Sequence, residues 1–150
     1  MTNRLLALLL VSLASLVALT VGSCSPTPEV NFIPEGGSYA ASDLAQALED
    51  SDAGAAARVT AADAPDVRQD ALANLRTNGE QAAELADTLT GEFPADVAAV
   101  PYQVELGMYE GEQAWLVYEA WGEGDAELSY RRIWVFSYQD MSMLAAHSIR

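Results

Sequence analysis

The spacing of apolar residues changes once along this chain, and that change limits the layers it can build. From Ser42 to Thr90 they recur every three or four residues; from Tyr102 onward they recur every second residue. The first period buries one stripe of a helix and the second one face of a strand, so helices are expected first and strands afterwards. Leu44, Ala45 and Leu48 predict a short helix over 42–50 with Ser42 as its cap. Asp63-Ala64-Pro65-Asp66 is a stronger start, with Asp63 placed to accept free amides and Pro65 in the first turn. Val67, Ala71, Leu72 and Leu75 make its stripe, and Asn78-Gly79 is expected to close it in the left-handed conformation. Ala82, Leu85, Ala86 and Leu89 share a face of a third helix ended by Thr90-Gly91, which gives a helical hairpin.

Four strands follow. Tyr102, Val104, Leu106 and Met108 alternate with polar neighbours, Gly111-Glu112 offers a tight turn, and Ala114–Ala120 returns. Leu128–Tyr138 is a third strand and Met143–Ile149 a fourth. With that turn, and a second centred on Glu123-Gly124, Met108 faces Trp115, Val117 faces Tyr130 and Glu119 faces Leu128. Val104, Leu106, Trp115, Val117, Trp134 and Phe136 then share a core face. The opposite face carries Tyr109, Leu116, Tyr118, Ile133 and Val135 among polar residues, more apolar than solvent requires. The expected fold is α+β, with N-terminal helices packed on a three- or four-stranded antiparallel β-meander.

The start of the chain reads differently. Leu5–Val21 is apolar except for Ser12, Ser15 and Thr20, and at 1.5 Å per residue it spans about 25 Å, short of a bilayer core. It ends in Val21-Gly22-Ser23-Cys24, ahead of Ser25-Pro26-Thr27-Pro28. This run resembles the lipobox of bacterial lipoproteins, with a branched aliphatic, two small residues and a thiol; leucine is commoner than Val21 at the first position. The resemblance covers residues 1–24 and implies a signal peptide over 1–23. It also implies a diacylglyceryl thioether on Cys24, and leaves open a further acyl chain, such as palmitate, on the new amino group. One acyl chain binds a membrane marginally and two hold it, so the anchor needs no basic patch. Residues 24–37, with Pro26, Pro28, Pro34 and Gly36-Gly37, are expected to be the lipidated end and a flexible tether reaching about 40 Å, and 38–150 a single domain.

Charge narrows the partners. Of 150 residues 22 are acidic and 7 basic, a formal charge of −15, and every cation is an arginine. Such a chain is a poor ligand for nucleic acid or bare anionic lipid. With one histidine, His147, and the lone Cys24 assigned to lipid, no transition-metal site is expected, nor any cofactor beyond the covalent lipid. No nucleophile motif accompanies His147, and dispersed acids read as solvated surface. Catalysis is therefore not expected, the exception being a hydrolase built on a carboxylate pair in a cleft.

What remains is a membrane-anchored, extracytoplasmic, noncatalytic module that binds a protein or other envelope partner. Its expected surface is the second sheet face with its aromatics: Tyr109, Leu116, Tyr118, Trp121, Ile133 and Val135. The alternative is a carrier of an apolar or small-molecule ligand in a cavity between helices and sheet. A flat exposed face would favour the first, and a cavity of several hundred Å³ the second.

Overall fold

The computed structural model describes residues 28–91 and 98–150. Its centre is a mixed sheet of six strands: β1 (Asn31–Ile33), β2 (Ser38–Tyr39), β3 (Ala98–Tyr109), β4 (Glu112–Gly122), β5 (Tyr130–Ser137) and β6 (Met143–Ile149). Strands β3 to β6 run antiparallel in chain order, while β1 and β2 both lie parallel along the outer side of β3. Parallel neighbours need a long crossover. The chain supplies it with α1 (Leu44–Asp50), α2 (Ala64–Leu75) and α3 (Glu80–Gly91), all placed between β2 and β3.

This corrects the expected architecture. The sheet has six strands rather than three or four, it is mixed rather than antiparallel, and two strands precede the helices. The two extra strands fall where the sequence reads as tether and domain entry. They are two and three residues long, too short for alternation to show, and Pro34 with Gly36-Gly37 separates them. They are held by what β3 offers. Phe32 pairs with Val104 and Ser38 with Met108, and between them the Gly36 amide donates to the Leu106 carbonyl at 2.8 Å. Val30 is buried, and the Phe32 ring sits 6.1 Å from that of Trp115.

Helices cover both faces of the sheet. The α2–α3 hairpin packs Ala71, Leu72, Leu75, Leu85, Ala86 and Leu89 against Val104, Trp115, Val117 and Phe136. Helix α1 and the segment after it pack Leu44, Leu48, Ala53 and Ala56 against Val100, Leu116, Tyr118, Ile133 and Val135. Strand β4 is consequently buried from Ala114 to Gly122 without interruption, the signature of a central strand with a layer on each side.

Turn chemistry sets the register. Glu110 and Gly111, at φ 49° and 84°, form the two-residue loop between β3 and β4, so the turn lies one residue earlier than Gly111-Glu112. Two successive positive φ angles suit the twist of a hairpin, and glycine tolerates the second without strain. Leu106 therefore faces Trp115, and Val104 faces Val117. On the other side of β4, Val117 faces Trp134 and Glu119 faces Arg132. Those partners sit four residues further along β5 than expected, because the connection after β4 is a long loop rather than a tight turn. An even slip keeps each side chain on its face. A bulge between Pro101 and Gln103 turns Tyr102 to the α1 side, where its ring meets that of Tyr118 at 6.2 Å.

Two helix signals act differently from their sequence reading. Asp63 does not cap α2; its carboxylate accepts the Thr60 hydroxyl at 2.7 Å, while the Thr60 carbonyl takes the Ala64 amide. Gly79 has φ 109° and ψ 173°, so it leaves the left-handed helical region while keeping a positive φ.

The approach of β2 to β3 depends on a missing side chain. A Cβ at Gly107 would lie 2.7 Å from the Gly37 carbonyl, which accepts the Met108 amide at 2.9 Å. Gly107→Ala is expected to cost about 1–3 kcal/mol by overpacking backbone against backbone. Urea unfolding should show a lower midpoint with an unchanged slope.

Candidate functional site

Two carboxylates lie inside strands, one toward each helical layer, and both are buried. On the α2–α3 side Glu119 is fully enclosed and surrounded by donors. Arg68 of α2 pairs with its Oε1, while Arg132 Nε and Trp134 Nε1 donate to Oε2 at 2.7 and 2.9 Å. Arg68 also donates to the carbonyls of Leu89 and Ala99, tying both helices of the hairpin to β3 and β4. Burial pushes the Glu119 carboxyl up, but the charges of Arg68 and Arg132, with the hydrogen bonds of Arg68 and Trp134, hold it below the usual glutamate range. The Arg132 guanidinium also lies over Trp134 at 4.8 Å and Trp121 at 5.9 Å.

On the α1 side Glu105 is 3% exposed. Among the described residues no arginine lies within ion-pair distance of it. Its Oε1 accepts the Gly37 amide at 2.5 Å and the Tyr39 hydroxyl at 2.8 Å, and Oε2 takes a longer contact of 3.5 Å from the Tyr118 hydroxyl. Burial, then hydrogen bonding to Glu105 and its charge, raise the Tyr39 phenol; burial and the charge of Glu105 raise Tyr118 further. Both phenols stay protonated and serve as donors. Around this cluster opens a cleft of about 480 Å³, bounded by the β1–β2 segment, by α1, and by Gln103 and Tyr118 of the sheet. Asp50, Ser51 and Asp52 form its far wall. Ser51 is fixed there by its hydrogen bond with the Tyr102 hydroxyl at 2.6 Å, and Arg131 closes the end of α1 by donating to the carbonyls of Leu48 and Ser51.

A second, smaller hollow of about 270 Å³ lies at the other side of the sheet between Trp121, Arg132, Trp134 and strand β6. Among the described residues no group of three His, Cys, Asp or Glu side chains gathers as a metal site would require.

The residues expected to form a docking face do not form one. Leu116, Tyr118, Ile133 and Val135 are at most 1% exposed and, with Tyr109, belong to the core beneath α1. The excess apolarity of that face is real, but a helix of seven residues and the coil after it cover it. Trp121 lies on the opposite face, 7% exposed, with its ring 5.0 Å from Tyr130. The structure thus brings five of the six together as core and leaves the sixth elsewhere. Cys24 lies outside the described residues. His147 lines the smaller hollow. The sequence reading gave Glu105 and Arg68 no role in a site and did not bring Tyr39 to Glu105. A signal existed for Glu105, an acid within the alternating strand pattern, facing the side that proved apolar.

No family model, no curated protein and no solved structure matches the chain.

The two arginines on Glu119 make its charge indispensable. Glu119→Gln leaves two mostly buried guanidinium groups uncompensated, and is expected to cost about 3–5 kcal/mol. Because the folded-state pKa lies below the unfolded value of about 4.3, the stabilisation is present above that pH and disappears as pH falls through the lower folded value. Denaturant midpoints measured below neutrality should therefore fall less steeply with acid in the variant than in the parent chain.

Proposed function

We propose that this chain is a lipid-anchored, extracytoplasmic carrier that holds a small polar molecule in the cleft between α1 and the sheet. The cleft of about 480 Å³ with Glu105 at its base is the observation that supports the reading. It lies within the size range of small-molecule sites and opens to solvent, with fixed polar groups converging at its base. The Tyr39 and Tyr118 hydroxyls and the Gly37 amide orient the Glu105 carboxylate, so its position does not depend on an occupant. Docking of a protein partner on the second sheet face has lost its surface to α1.

Nothing about the cleft calls for covalent chemistry, and the reading is noncatalytic. Attachment through Cys24 follows from the lipobox resemblance and keeps the carrier at the membrane, while the acidic surface holds the domain away from anionic headgroups.

Two measurements test this. Native mass spectrometry of the chain isolated from its own envelope should show a small molecule bound one to one, and Ala47→Trp, which projects an indole into the cleft, should remove it. A chain carrying no such mass, or carrying it equally with the cleft filled, overturns the carrier. Separately, Cys24→Ala should move the protein from the membrane to the soluble fraction with its thermal midpoint unchanged; a membrane-bound variant would refute the anchor.

A further inference from the structure

We infer that the hollow between Trp121, Trp134 and β6 is a second binding site, taking a small ring-bearing carboxylate. Register and residue size explain why the hollow exists. Ala146 stands opposite Trp134 and Ser148 opposite Arg132, so β6 presents small side chains beside large ones. The core under the α2–α3 hairpin ends at Phe136 and Met141 and includes no residue of β6, which leaves this strip of the sheet uncovered.

Three independent features select the ligand. The first is charge. Arg132 lines the hollow and shares the Glu119 carboxylate with Arg68, so two guanidinium groups answer one anion beside it. Arg150 adds another cation above Trp121 and Tyr130, at 5.4 and 5.7 Å from the ring centres, and reaches Glu123 only at 3.8 Å between two exposed side chains. In a chain of formal charge −15 this sets two guanidinium groups, Arg132 and Arg150, over the Trp121 ring, within the roughly 8 Å that salt leaves unscreened. The second is an unmet donor. The Trp121 side chain is more than nine-tenths buried and lines the hollow, yet its indole N–H has no hydrogen-bond partner among the described residues. An indole N–H can only donate, so its complement is an acceptor. Trp115 carries a similar orphan N–H but lines neither cleft. The third is shape. Two indoles wall a volume of about 270 Å³, room for a single ring laid against an aromatic face.

A cation is repelled here, a bare inorganic anion leaves the indoles unused, and a neutral ring leaves the charge unanswered. A carboxylate on one ring meets all three conditions. Aromatic acids and acidic sugars share that chemistry, and Ser148 and His147 at the rim offer hydrogen bonds to either.

The test is titration of the full chain in detergent, followed by tryptophan fluorescence and calorimetry, with benzoate and D-glucuronate against benzamide and D-glucose. Saturable binding of at least one carboxylate, about tenfold or more tighter than its neutral counterpart, is expected; which acid binds separates the two sources. Trp121→Phe removes the N–H and keeps the ring, and Arg150→Gln removes an exposed charge. Each should weaken binding severalfold, Arg150→Gln without moving the thermal midpoint and Trp121→Phe with the chain still folded at the assay temperature, whereas Ala47→Trp should leave binding intact. The inference fails if neither carboxylate saturates at millimolar concentration, if the neutral compounds bind equally, or if both hollow variants bind like the parent. Loss of binding in Ala47→Trp would place the ligand in the larger cleft and overturn this site alone, so failure here is distinguishable from failure of the carrier.

Discussion

Strand β4 is enclosed on both faces, and the rest of the fold follows from that enclosure. From Ala114 to Gly122 it has no solvent side, so any polar group it carries must find a partner inside. Glu119 finds Arg68 from α2, Arg132 from β5 and the Trp134 indole. These partners come from separate parts of the sequence, and Arg68 extends the connection to α3 and β3 through the carbonyls of Leu89 and Ala99. One buried charge thus specifies how the hairpin sits on the sheet. Purely apolar packing of Ala71, Leu75, Leu85 and Leu89 against Trp115 and Val117 would permit the hairpin to slide; a carboxylate that must meet two guanidiniums does not.

Among the described residues, the opposite face solves the same problem without a cation. Glu105 is satisfied by an amide and two phenols, two of which, Gly37 and Tyr39, belong to the short segment that pairs in parallel with β3. A glycine at position 36 is part of this arrangement, because a Cβ there would overlap the Glu105 side chain. Backbone and carboxylate approach closely only where no side chain intervenes. The edge of the sheet and the base of the larger cleft are therefore one construction: the groups that close the β3 edge also fix the Glu105 carboxylate.

Much of the helical half and of the β3–β6 half was legible because long periodic segments carry their own record. Helices α2 and α3 and the four long strands fall close to where apolar spacing puts them, and even the misplaced β5 register kept Val117 and Trp134 on one face. The parts that could not be read are those whose structure is borrowed. Strands β1 and β2 have no pattern of their own and exist by pairing with β3. Helix α1 shows an apolar stripe, but nothing in it declares that it covers Leu116, Tyr118, Ile133 and Val135, so that face read as an open one. Glu105 and Tyr39 are far apart in sequence, and their meeting depends on the same unread parallel pairing.

That dependence explains why binding residues were harder to find than core residues. A core position announces itself by local period, whereas a cleft arises where periodic elements fail to cover one another. The larger cleft opens between α1 and the β1–β2 segment, and the smaller one beside β6, which the core under the hairpin does not include. Both are defined by limits of coverage, and both place strand side chains with unusual needs at the margin: among the described residues, a carboxylate without a cation in one and an indole N–H without an acceptor in the other. In a three-layer fold with so short a helix on one side, uncovered margins are unavoidable, and the chemistry found at them is the part of the molecule that packing alone does not account for.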